Sequence, residues 1–245
     1  MKVYIRKEKD KEFHNVNLYI AYDGFKQLGA EIVYFSNVRD ITDNKLEDVI
    51  VSGIGDVRYI LNQLGKEYPT LEYPESISTP EYLGRRIWKD VLGSVMSNKE
   101  KMGIFIKPVS GGKLFTGAII KEFKDFRTCV GAQEDTEVWC SELVNFISEY
   151  RCFIRHGEVL GVKYYKGDYF TIPSKEVLTA IINDYKDAPN AYTIDLGVTD
   201  KGETLLVEVN EGYSIGAYGL DSVKYARLLA TRWAQLTNTE DMFNF

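Results

Sequence analysis

A chain of 245 residues with 44% hydrophobic and 27% charged content can bury the core of one large domain or two small ones, and its net charge of −6 argues against general nucleic-acid binding. Three cysteines without CxxC spacing (Cys129, Cys140, Cys152) read as reduced core thiols of a cytoplasmic protein, and two isolated histidines (His14, His156) argue against a histidine zinc site or a Ser-His-Asp triad. No segment reads as a secretion signal or an uninterrupted membrane span, so no membrane partner is expected.

In chain order, residues 2–6, 31–36 and 49–52 have the composition of short strands, with helical patterns near 16–29 and 55–65. That alternation predicts a small parallel α/β unit. Ser52-Gly53-Ile54-Gly55-Asp56 lacks the third glycine of a dinucleotide fingerprint and follows the third strand, so it reads as a plain strand-to-helix turn. Pro69, Pro74 and Pro80 crowd into a linker, which places a domain boundary at 75/76. Thr79 as N-cap, Pro80 at the first position and Glu81 in the first turn predict a helix running to about Ser97. From 103 onward the pattern is mostly strands and hairpins, closing with a helix near 221–236.

Three segments carry chemistry. Strand 104–106 ends at Lys107-Pro108 and enters the glycine loop 109–117, in which Ser110, Gly111, Gly112 and Lys113 present amides and charge suited to phosphates. The loop has neither the spacing of a Walker loop nor a following helix. An apolar strand then runs into Glu142, passes a short connector, and resumes at Glu149, so that Glu149, Arg151 and Phe153 share one face. Glu149 and Arg151 either pair with each other or face a ligand. Lys163, after the Arg155-His156-Gly157-Glu158 turn, lies on either face depending on the turn length. The tyrosines 164, 165 and 169 read as sheet packing.

The third segment is a hairpin over 192–211. If Val198 pairs with Glu203 across the 199–202 turn, Asp195 falls opposite Leu206, Glu208 is its diagonal neighbour on the same face, and Leu205, Val207 and Val209 take the other face. Charged strand residues are commonly a solvated face. Here Leu206 shares the face of Glu208, and carboxylates beside apolar surface need a partner or a metal. Asp195, Glu208 and Asn210 offer three hard oxygen ligands of the kind Mg²⁺ accepts beside phosphate. Ser214 and Gly216 follow in a glycine-rich turn into the last helix.

With these residues in view, 76–245 resembles an ATP-grasp domain: an α+β fold of two α+β subdomains gripping ATP, here preceded by an abbreviated α/β segment, 1–75. The resemblance implies that Lys107 and the 109–117 loop bind ATP phosphates. It further implies that Glu142, Leu143 and Asn145 line the adenine, that Glu149 takes the ribose, and that Asp195, Glu208 and Asn210 hold two Mg²⁺ ions (Mn²⁺ being an acceptable substitute). Tyr-Leu-Gly-Arg-Arg-Ile-Trp (82–88), Ile-Lys-Pro (106–108), Phe-Thr-Gly (115–117), Glu-Tyr-Arg (149–151) and the run 208–220 are similar to a short bacterial and phage clade related to peptide-tagging ligases. The superfamily's second nucleotide lysine is not identifiable. Arg85 or Arg86, on the expected 80–97 helix, is its candidate replacement.

The implied activity is an ATP-dependent carboxylate–amine ligase working through an acyl phosphate, with Arg151, Lys163 and Arg85 as candidate catalytic residues and Ser214 as a γ-phosphate contact. Its partners would be small-molecule or peptide carboxylates and amines. The rival readings are an ATP-grasp phosphotransferase and a non-catalytic nucleotide-binding module.

Overall fold

A computed structural model describes residues 1–9, 11–109 and 114–245. By internal contacts the chain forms two units, 1–78 with 147–245 and 79–146.

The first unit opens with β1 (Lys2–Arg6), α1 (Val16–Gln27), β2 (Glu31–Phe35), β3 (Val49–Val51) and α2 (Ile54–Gln63). The strands form the expected parallel sheet, in the order β2-β1-β3. α1 starts where the Asn15 side chain accepts the Asn17 amide at 2.8 Å, closing an orphan donor of the first turn. Val3, Ile5, Phe25, Val57 and Leu61 bury the sheet against these helices.

The second unit contains α3 (Pro80–Leu83), β4 (Ile87–Val91), α4 (Leu92–Ser97), β5 (Ile104–Pro108), β6 (Ala118–Ile120) and β7 (Glu137–Glu142), with its strands in the order β4-β7-β5-β6. The predicted 80–97 helix is therefore interrupted: its first turn (α3) and its end (α4) are helical, but 84–91 is not. Thr79 caps it as expected, but Gly84 adopts the left-handed conformation at φ 59° and ends it after Leu83. Ile87-Trp88-Lys89-Asp90-Val91, rich in β-branched and aromatic residues, then pairs antiparallel with β7, and this pairing overrides the helical pattern. Ile104, Ile106, Ile120, Val138 and Cys140 form the unit's core.

The chain returns to the first unit through β8 (Phe146–Arg155), β9 (Glu158–Gly167), α5 (Lys175–Asp184), β10 (Ala191–Thr199), β11 (Thr204–Glu211) and α6 (Ser222–Thr237), with the sheet order β11-β10-β8-β9. Helix α5, with its Ser174 N-cap, interrupts the strand-rich stretch and was not anticipated. The supposed linker also has a structural role, since the Glu72 carbonyl accepts the Val209 amide at 2.9 Å and covers an edge group of β11.

The β10–β11 register corrects the expectation twice. Thr199 and Glu203 close a three-residue loop with Gly202 at φ 80°, so Val198 faces Thr204. A bulge at Val207 then restores the pairing, with Leu196 opposite Leu206 and Asp195 directly opposite Glu208. Leu206 accordingly lies on the face away from Asp195, and Leu205, opposite Gly197, lies on the face of Asp195. All nine residues of β10 are buried.

Two glycines test the helix packing. A Cβ at Gly24 of α1 would lie 1.9 Å from the Ser222 carbonyl oxygen of α6, whereas one at Gly55 of α2 meets nothing within 4 Å. Gly24→Ala is expected to destabilise by about 2 kcal/mol or more and Gly55→Ala to stabilise by about 0.5 kcal/mol, read by urea unfolding.

Candidate functional site

Cross-strand pairing places Asp195 against Glu208 and Thr193 against Asn210, so these four side chains share one sheet face. The Asn210 amide donates to Glu208 Oε1 at 3.1 Å and to Asp195 Oδ2 at 3.4 Å. From β8, Arg151 grips Asp195 with both prongs of its fork, Nε to Oδ1 at 2.8 Å and Nη2 to Oδ2 at 2.6 Å. The pair is deeply buried: Arg151 is 7% and Asp195 2% exposed.

Burial is the largest influence on Asp195 and raises its pKa; the Arg151 hydrogen bonds and charge lower it, Glu208 and Glu149 raise it again, and the result is about 6. For Arg151, burial opposes the charge and Asp195 more than offsets it, so the guanidinium stays charged. At neutral pH the pair is ionic. The Thr193 hydroxyl, on the same face, is buried with no hydrogen-bond partner among the described residues.

Two aromatic rings frame the guanidinium, Tyr218 at 4.9 Å and Tyr165 at 5.9 Å, and they stack on each other at 5.1 Å with 20° between planes. Tyr165 donates to Glu149 Oε2 at 2.8 Å, and Lys166 pairs with the other oxygen of Glu149. Burial above all, with the charges of Asp195 and Glu149, pushes the Tyr165 phenol far up, so it remains a neutral donor. The reading of Tyr165 as plain packing is thus corrected. Tyr164 and Tyr169 do pack, in an edge-to-face chain from Tyr150.

The face of Lys163 follows from register. The turn is the two-residue one, His156-Gly157, with φ 49° and 77°, but Leu160 bulges from β9, which brings Lys163 directly opposite Arg151 and onto its face. Ser214, at φ 52°, donates its hydroxyl to the Ser52 carbonyl at 2.8 Å and so fastens its loop to the end of β3. At Gly216 a Cβ would lie 3.3 Å from the Tyr218 ring and 3.6 Å from Arg151 Nη1. Sequence reasoning missed Thr193, Tyr165 and Tyr218. A Thr two residues before Asp195, in phase with it along the strand, was the available signal for Thr193.

In the second unit Lys107 stands on β5 opposite Trp139 of β7, half-buried. Ser110, Gly111, Gly112 and Lys113 lie outside the described residues. Glu142 ends β7 by accepting the Arg86 amide on Oε2 at 2.9 Å, while its own amide donates to the Arg86 carbonyl at 3.1 Å. Leu143 and Asn145 are exposed. Arg85 is no helix residue: it donates to the Leu83 carbonyl at 2.8 Å and the Ser141 hydroxyl at 3.1 Å, with Phe146 5.5 Å from its guanidinium. Arg86 lies over Trp88 at 4.5 Å.

No described helix is long and apolar enough to cross a membrane. Residues 82–228 match the family model "ATP-grasp domain, R2K clade family 2". No curated protein sequence matches the chain. The fold is similar to that of D-alanine–D-alanine ligase from Bacillus anthracis (TM-score 0.57, 15% identity, 97% of each chain covered). It is also similar to an L-amino acid ligase from Bacillus licheniformis (TM-score 0.61, 12% identity, 95% of this chain and 75% of that one). A third similar structure is macrocyclase MdnC bound with precursor peptide MdnA from Microcystis aeruginosa MRC (TM-score 0.53, 11% identity, 97% and 99% covered). At these identities the likeness is one of fold.

Removing one partner of the buried pair should expose its cost. Arg151→Leu leaves Asp195 buried and unpaired and is expected to destabilise by about 3–5 kcal/mol, most of which Asp195→Leu in the same background should restore. Equal stabilities of the single and double variants in urea would contradict the pairing.

Proposed function

The chain belongs to the ATP-grasp domain family of the R2K clade, family 2, and from that membership we propose that it is an ATP-dependent carboxylate–amine ligase. The γ-phosphate passes to a substrate carboxylate, the resulting acyl phosphate is attacked by an amine, and ADP and phosphate leave. The division into a 1–75 segment and a 76–245 ATP-grasp segment is part of this reading. So is the choice of an amino acid or peptide as substrate, which is supported by neighbours of the same fold named as an L-amino acid ligase and as a macrocyclase bound with a precursor peptide.

The observation that carries the proposal is the convergence of Asp195, Glu208 and Asn210 on one sheet face, beside a buried hydroxyl with no partner among the described residues. This donor set is all hard oxygen and fits Mg²⁺ once the Asn210 amide turns its oxygen toward the carboxylates. When bound, Mg²⁺ neutralises the charge of the β- and γ-phosphates. In this reading Lys107 and the 109–117 loop hold the phosphates, the Glu142–Asn145 connector lines the adenine, and Glu149 exchanges Tyr165 and Lys166 for the ribose hydroxyls. Arg151 and Lys163, adjacent on the acid face, meet the substrate carboxylate and the oxyanion that develops when it is attacked. The bonds that hold Arg85 and Ser214 favour positioning roles for both.

The test is product chemistry. With carboxylate and amine supplied, the expected products are ADP and phosphate, and ¹⁸O from the substrate carboxylate should appear in the phosphate, because that oxygen bridges carbon and phosphorus in the intermediate. AMP with pyrophosphate, or unlabelled phosphate, contradicts the proposal.

Glu208→Gln keeps the shape and removes a ligand charge. It is expected to stay folded while turnover falls by at least ~10²-fold, the scale set by loss of transition-state charge stabilisation. A metal and a proton also compete for Asp195. With its pKa near 6, Mg·ATP affinity should rise by about tenfold between roughly pH 5 and 7 as the carboxylate ionises, measured by calorimetry. Affinity that falls or stays level across that range excludes Asp195 as a ligand.

A further inference from the structure

Resting on the metal reading above, we propose that the acid face refuses a free divalent cation and accepts one only together with nucleotide phosphates, Arg151 being the resident counter-ion that enforces this order. Three observations lead there. First, both oxygens of Asp195 are engaged by the Arg151 fork, and Oδ2 also receives the Asn210 amide, so an arriving cation must displace or share with a guanidinium held at 2.6–2.8 Å. Second, the face is already neutral. Asp195 and Glu208 are matched by Arg151 and by Lys163 directly opposite it, and Glu149, two residues before Arg151 on β8, is matched by Lys166.

A lone divalent ion would therefore leave a buried double positive charge, which desolvation strongly disfavours. Nucleotide phosphates bring the missing negative charge with them, and the same ion then enters without that penalty. Third, the displaced guanidinium has surroundings that suit it off the carboxylate. The stacked pair of Tyr218 and Tyr165 lies against it, and Nη1, the prong not used on Asp195, is near Gly216, where a Cβ would come within 3.6 Å of it. Metal arrival with nucleotide thus frees the charged fork of Arg151 at the moment a substrate oxyanion needs it.

The experiment compares Mn²⁺ alone and Mn²⁺ with ADP on wild type and Arg151→Gln, by electron paramagnetic resonance and calorimetry. Gln keeps an N–H donor for Asp195 while deleting the charge. Free Mn²⁺ is expected to bind Arg151→Gln at least ~10-fold more tightly than wild type, whereas Mn²⁺ with ADP gains less than threefold, since removing one positive charge at ion-pair range matters most where no phosphate is present. Mn²⁺ alone should also raise the melting temperature of Arg151→Gln and leave that of wild type unmoved, a readout that holds even if the variant is weakened. Adding Asp195→Asn should abolish the gain; a gain that persists puts the ion elsewhere and overturns the inference. Free Mn²⁺ binding equally in both proteins, or an equal gain with and without ADP, also overturns it but leaves the metal reading standing. No Mn²⁺ bound by wild type even with ADP removes both.

Discussion

The buried ion pair between Arg151 and Asp195 is the constraint around which the first unit is arranged. A carboxylate in the middle of β10, a strand buried along its whole length, has no water to stabilise it, and only a fork that reaches both oxygens makes its ionised form tolerable. The fork comes from β8, hydrogen-bonded beside β10 in the same sheet. Once the pair is set, other features follow. The stacked rings of Tyr165 and Tyr218 lie against the guanidinium, Asn210 joins Asp195 to Glu208, and the Tyr165 hydroxyl links this group to Glu149. Breaking the pair leaves an uncompensated charge, so the arrangement is costly unless a metal or a ligand takes over one partner's role.

A second set of contacts fixes the segment after the acid strand. Glu211 and Arg232 form another buried bidentate pair, at 2.6 and 3.1 Å, at the point where β11 ends. The Ser214 hydroxyl meets Ser52, and the Ala217 amide meets the Asn17 side chain at 2.9 Å. Both partners of this turn lie in the first 75 residues. Asn17 and Ser52 therefore help to position the loop that carries Gly216 and Tyr218 next to Arg151. Gly212 has no space for a side chain there, since a Cβ would come within 2.5 Å of the Ala191 carbonyl oxygen.

In the second unit, the exchange of hydrogen bonds between Glu142 and Arg86 occupies the carboxylate of Glu142 and leaves Leu143 and Asn145 exposed just after it. A connector with exposed backbone after a pinned strand end can offer amide and carbonyl groups to a planar ring.

What the sequence by itself determined was local. Period-two alternation, glycine turns and capping residues placed β1, β2, β3, β5, β7, β10, β11 and α6 close to their observed bounds, because each rests on interactions within a few residues, whereas β8 starts at Phe146, three residues before the expected Glu149. That Asp195, Glu208 and Asn210 share one face of the hairpin was legible as well, from the period of two along each strand. Tertiary structure decided what depends on partners far along the chain. The bulges at Leu160 and Val207 set which side chains share a face, and they arise from strand pairing that no short window records. Residues 87–91 became a strand because β7, some fifty positions later, offers an edge to pair with. The grip of Arg151 on Asp195, across 44 residues, depends on sheet order. In each case the deciding energy is a contact between distant segments, which alternation and propensity cannot encode.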